Sequence, residues 1–258
     1  MRRSLALDAF AGAVAAFLVL PILAIVPVAF SAGSFVRLPP LAWSLRWWAA
    51  FRADPAWLHA LLTSLEVAAL AGLLAVLTGT AAALGLARLP ARARLLATGL
   101  FVGPLVAPVI VLAVGLYALA RSFGLVGSIA GLVLAHAMLA VPYVALTVGV
   151  SLAALDPRLA LAASGLGAAP WRIFRTITLP LILPGIAGGA VFAAVTSFDE
   201  VVLAIFLSGP AVKTLPVLIW EQVRVEFTPL VTVAATVMIV LAILGAVLGR
   251  LLGGERAQ

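Results

Sequence analysis

Residues 156–186 read DPRLALAASGLGAAPWRIFRTITLPLILPGI and form the chain's most structured polar segment, set between two long apolar runs. Asp156-Pro157 is a helix-start signal. A carboxylate can cap free N–H groups, and proline then takes the first helical position, where no N–H is needed. Gly165 and Gly167 interrupt that helix. A second helix is predicted from Pro170, carrying Trp171, Arg172 and Arg175 on a short amphipathic turn. Leu179-Pro180 and Leu183-Pro184 then re-aim the chain into the next apolar run. An ordered helix-turn-helix between two apolar runs is built to be presented to a partner.

Composition fixes what those runs are. Of 258 residues, 65% are hydrophobic and 10% charged, and the mean hydropathy is +1.28. A soluble domain carries about 25% charged residues, so this is an integral membrane protein. With no cysteine there is no disulfide framework and no thiolate metal site. The net charge of +7 fits arginine accumulating in cytoplasmic loops and does not call for nucleic acid. The opening MRRSLALDAF and the run after it resemble a secretion signal. That run is too long, contains Pro21 and Pro27 and lacks a clear small-residue cleavage site, so it is expected to stay as a first span.

About 20 apolar residues cross the hydrocarbon core. Stretches free of charge predict spans at about 9–31, 63–87, 95–120, 131–154, 181–208 and 229–249. The whole chain, 1–258, is then a single all-α bundle of six membrane helices. Continuous rather than alternating apolar runs argue against a barrel. Pro104, Pro108 and Pro142 are expected to kink their helices. With a cytoplasmic N-terminus, the inner segments hold ten arginines: Arg2, Arg3, Arg88, Arg92, Arg94, Arg158, Arg172, Arg175, Arg250 and Arg256. The outer segments hold six basic residues: Arg37, Arg46, Arg52, Arg121, Lys213 and Arg224. The short loop 88–94, with three arginines, decides the orientation. Both termini and the 156–180 loop therefore face the cytoplasm.

The outer segments carry Trp43, Trp47, Trp48 and Trp57, which suit a water interface or an outer partner surface. Residues 209–228 predict a short helix over the outer mouth, with Glu221 and Arg224 as i, i+3 neighbours. Lys213-Thr214 is not a phosphate loop, because Val212 stands where glycine is required.

No catalytic constellation is present. His59 and His136 are the only histidines, and a lone histidine inside a span reads as a hydrogen-bonded packing residue. There is no phosphate-binding loop, paired-histidine helix or nucleophile elbow. The chain is not an enzyme, holds no metal or cofactor, and leaves any use of ATP to a partner. The feature that stands out is Asp199-Glu200 after Thr196 and Ser197, at the outer half of the fifth run. A charge at a span centre costs roughly 2.5–3.5 kcal/mol. Neighbours on one helix point about 100° apart, so one carboxylate is expected on a solute path and the other paired or turned outward. The bland alternative is that both cap or snorkel at the helix end. Glu66 reads as an interface residue. Two carboxylates at the outer end of a path favour a cationic or zwitterionic solute.

The opening stretch resembles the EAA loop of ABC-transporter permease subunits. The pattern is Glu-Ala-Ala, three residues, Gly, nine residues, Ile, one residue, Leu-Pro. Here Ala162-Ala163, Gly167, Ile177 and Leu179-Pro180 keep every interval, and Leu161 stands in place of the glutamate. Ser197-Phe198-Asp199-Glu200-Val201-Val202, Phe206-Leu207-Ser208-Gly209-Pro210 and Thr214-Leu215-Pro216 are similar to the segment that follows the loop in permeases of the spermidine/putrescine type.

This resemblance covers essentially the whole chain. It implies the six-span fold of type I importer permeases, with a cytoplasmic coupling helix between spans 4 and 5. The coupling loop would be Leu161, Ala162, Ala163, Gly167, Trp171, Arg172, Arg175, Leu179 and Pro180. The path would include Thr196, Ser197, Asp199 and Glu200. It implies as partners two ATP-binding cassette subunits that use the ATP, a second permease subunit read as a related but distinct chain, and an extracytoplasmic solute-binding protein. The place is the bacterial inner membrane, and the solute a small cation such as a polyamine. The alternatives are another small solute (amino-acid-like, phosphonate or metal ion) or a self-sufficient secondary transporter. The latter predicts internal repeats and more spans. A membrane-embedded enzyme would need a ligand cluster that Asp199 and Glu200 do not make alone.

Overall fold

A computed structural model describes residues 5–254. Arg2, Arg3 and Arg256, which enter the orientation count, lie outside the described residues. In order the helices are α1 (Leu5–Leu23), α2 (Ile25–Val28), α3 (Arg46–Ala53), α4 (Pro55–Ala87), α5 (Ala91–Val106), α6 (Val109–Ser122) and α7 (Ile129–Ala153). Then follow α8 (Pro157–Gly165), α9 (Pro170–Ile173), a π-helical turn (Phe174–Thr178), α10 (Leu179–Asp199), α11 (Val202–Leu207), α12 (Leu215–Val225) and α13 (Pro229–Gly254). Among the described residues, five helical segments are long and apolar enough to cross a membrane, or six if the bent α5–α6 pair counts as one. The fold is an all-α membrane bundle.

Two units pack separately. The first takes the described residues to Ala60 and Leu218–Leu241. Its loop between α2 and α3 is tied by Ala32 N–H to Ala42 O (2.9 Å) and Ser44 N–H to Phe30 O (2.8 Å). Arg46 Nη2 donates to Gly33 O at 2.9 Å and its guanidinium lies 4.6 Å from the centre of the Trp47 ring. The tryptophans divide: Trp57 is buried against Phe51, while Trp43 is exposed.

The second unit, Leu61–Val217 with the described residues from Ala242, is organised on α7. Ser128 starts α7 by accepting Gly131 N–H at 3.1 Å, as a capping hydroxyl does. Small residues then let neighbouring backbones close in. A Cβ on Gly79 of α4 would fall 2.7 Å from Val144 Cβ, and one on Gly189 of α10 would fall 2.9 Å from Val144 Cα. Val144 is fully buried. It is pinched between the two helices, with Ala140, Val148, Ile182 and Ala193 in the same core.

Three expectations change. The run 95–120 is not a straight crossing: α5 and α6 meet at 99°. Pro108 offers no N–H and biases Ala107 to extended backbone (ψ 140°). At the fifth run, Pro180 and Pro184 do not re-aim the chain. Helix continues from Pro170 to Asp199; at Pro180 the π turn places Leu179 N–H on Phe174 O and widens the turn where proline would otherwise crowd a carbonyl, and Pro184 lies within α10. The expected crossing 181–208 also ends early, since Glu200 leaves the helix (ψ 108°) and α11 starts afresh.

Candidate functional site

The 156–180 segment is set by local chemistry. Asp156 Oδ1 accepts Arg158 N–H at 2.9 Å, and Pro157 takes the first helical position of α8. The end of α8 is equally defined. Gly167 N–H reaches Ser164 O and Ala168 N–H reaches Ala163 O, both at 3.0 Å. Gly167 has φ +80°. These are the two bonds and the left-handed residue of a Schellman cap. Glycine is needed there because L side chains strain in that region. Ala169 is then extended and Pro170 opens α9.

The resulting corner displays apolar side chains. Leu161 (72%), Leu166 (89%) and Trp171 (68%) are largely exposed, and Trp171 leans on Phe174 with ring centres 5.4 Å apart. Arg172 and Arg175 are exposed beside them, Ala162 is exposed and Ala163 half-buried. Leu179 is half-buried and Pro180 exposed, both already on the long helix. The corner thus exposes leucine and tryptophan side by side with two arginines. Leu161 adds to that apolar face where a glutamate would have added a charge.

The other predicted residues lie at the far end of the same helix. Thr196 is half-buried and Ser197 buried. His136 Nδ1 of α7 lies 3.0 Å from both Ser197 O and Ser197 Oγ. The carbonyl bond requires the proton on Nδ1, which leaves the buried Nε2 without a partner. His136 is thus a hydrogen-bonded packing residue. It satisfies a carbonyl in the last turn of α10, where helical donors run out.

Asp199 is exposed, whereas Glu200 Oε1 accepts Val202 N–H at 2.7 Å and Leu203 N–H at 2.9 Å. Glu200, one residue before the cap position Val201, thus satisfies the opening N–H groups of α11, and Asp199 closes α10. The two carboxylates are not consecutive positions of one helix. No sequence signal pairs His136 with Ser197, since 61 residues separate them.

Residues 75–254 match the model of a family described as binding-protein-dependent transport system inner membrane component. The chain is 35% identical to the putrescine transport system permease protein PotI of Escherichia coli over 230 residues, covering 86% of this chain and 82% of that one. It is 33% identical to the spermidine/putrescine transport system permease protein PotC of Haemophilus influenzae, covering 94% of each. Among solved structures, a chain of a bacterial alginate ABC transporter, in complex with alginate pentasaccharide-bound periplasmic protein, superimposes with TM-score 0.71 at 16% identity. That match covers 97% of this chain and 95% of the other. The MetNI methionine ABC transporter, in inward-facing conformations, gives TM-score 0.64 at 19% identity over 76% of this chain and 94% of the other.

Proposed function

From the premise that the chain belongs to the family of binding-protein-dependent transport system inner membrane components, and so is a multi-pass transport permease, we propose that it forms half of the path of an ATP-driven importer for a small cation of the polyamine class. The relatives named for spermidine and putrescine transport support the solute class. The partners in this proposal are two ATPase subunits, a related second permease and an extracytoplasmic binding protein. ATP is bound and hydrolysed by the ATPase subunits. The termini and the 156–180 loop face the cytoplasm, supported by the arginine-rich loop 88–94.

One observation carries the mechanism. The exposed patch around Trp171 and the segment Thr196–Asp199 are the two ends of one helical rod, Pro170–Asp199. At 1.5 Å per residue, 30 residues span about 45 Å. An ATPase subunit seated on the patch moves the rod as a body, and the rod's outer end moves with it. Differential contacts in the two ATPase states then bias a two-state bundle. Asp199, exposed and free of any cap, offers its charge to a cation, while Glu200 holds the start of α11.

The test is uptake of labelled putrescine or spermidine by the reconstituted importer. Asp199→Asn should reduce uptake while subunits still assemble. Normal uptake by that variant would remove Asp199 from the path.

A further inference from the structure

The cytoplasmic ends of α4, α5 and α7 enclose a cavity of about 510 Å³ that no step of import described above uses. Its volume lies within the roughly 300–1,000 Å³ of small-molecule sites. The lining is apolar, with Phe101, Gly149 and Leu155 among it, except for Arg94 and Thr98. Pro157, the first residue of α8, completes one side. Arg94 belongs to a run with Arg88 and Arg92, and among the described residues none of the three has a carboxylate partner. The acid nearest in sequence to the lining is Asp156, whose Oδ1 is engaged by Arg158 N–H.

We propose that this cavity binds one anionic phospholipid of the inner leaflet, with an acyl chain in the apolar part and the phosphate on Arg94. An apolar cavity with an arginine in its wall is complementary to an anionic amphiphile. Arginine offers a planar fork to phosphate oxygens. Basic pockets between membrane helices on the cytoplasmic side hold anionic headgroups in this way. A cationic solute is excluded by the same charge. Because Pro157 forms part of the wall, the lipid would brace the start of the docking loop. The leaflet rests on the orientation proposed above; the binding itself does not.

The test uses the full-length chain in the complex in which it purifies, with phosphatidylglycerol or phosphatidylcholine added and bound lipid counted by native mass spectrometry. Wild type should retain phosphatidylglycerol preferentially. Arg94→Gln should weaken phosphatidylglycerol retention about tenfold, the worth of one hydrogen bond to a charge, and phosphatidylcholine retention less, because its choline cation already offsets the phosphate. Gly149→Leu should weaken retention of both lipids, because a Cβ there meets nothing within 4 Å and the rest of the side chain takes up space in the cavity that Gly149 lines. Equal retention of the two lipids by wild type would overturn the proposal, as would unchanged retention in both variants. Unchanged lipid retention in both variants together with loss of solute uptake would assign the cavity to the solute path instead.

Discussion

Gly165 and Gly167 sit two residues apart in the same corner, and the structure predicts opposite outcomes for adding one methyl group to each. A Cβ at either position meets nothing within 4 Å, so sterics against neighbours play no part. Gly165 is the last helical residue of α8, whereas Gly167 has φ +80°. An L residue in the left-handed region costs roughly 1–2 kcal/mol. Gly167→Ala therefore strains the turn that holds the 3.0 Å bonds to Ser164 O and Ala163 O and sets the angle between α8 and α9. If docking selects that turn, affinity for the ATPase subunit should fall roughly 5- to 30-fold. Gly167→Asn should fall less, since asparagine tolerates this conformation. Gly165→Ala should leave affinity intact and firm the helix by roughly 0.5–1 kcal/mol. The assay is a binding titration of the ATPase subunit on the purified permease complex, with solute-stimulated ATP hydrolysis as a second readout. Indistinguishable Gly165→Ala and Gly167→Ala variants would mean that docking does not depend on the left-handed turn at Gly167.

Trp171→Ala should weaken the same titration further. The ring is 68% exposed, and covering two-thirds of roughly 200 Å² at about 25 cal/mol per Å² contributes up to about 3 kcal/mol; an unchanged dissociation constant would place the docking surface elsewhere. Gly189→Leu should destabilise the bundle by about 1–3 kcal/mol or more, because its Cβ would fall 2.9 Å from Val144 Cα. Gly188→Leu, with nothing within 4 Å, should be tolerated, and thermal unfolding in detergent compares the two. Glu200→Ala should cost about 0.5–2 kcal/mol through loss of the α11 cap. Glu200→Gln, which keeps an acceptor, should retain most of that stability in the same assay.

Features set by neighbours along the chain are legible in the residues themselves. Asp156-Pro157 starts α8 where a cap followed by proline predicts, and Gly167 stands where the EAA spacing puts glycine, for a backbone reason the structure supplies. Features set by how a proline is accommodated are not legible in that way. Pro180 reads as a break, yet the π turn at Phe174–Thr178 carries helix through it. Pro108 reads as a kink, yet it divides α5 from α6 at 99°. The Asp199-Glu200 pair reads as two faces of one helix because hydropathy is blind to a carboxylate that caps the next helix. His136 and Ser197 meet only through the packing of α7 on α10, which no local pattern encodes.

The claim on which the rest depends is that the corner between α8 and α9 is a cytoplasmic docking surface for an ATPase subunit. The chain has no cysteine, so Leu166→Cys places a single thiol at an open point of that corner, 89% exposed in the native leucine. Labelling with a membrane-impermeant maleimide in inside-out vesicles measures it directly. The thiol should react when the permease is present without the ATPase subunit and be protected in the assembled importer. Equal labelling in both, or labelling only from the outer side of the membrane, would contradict the account.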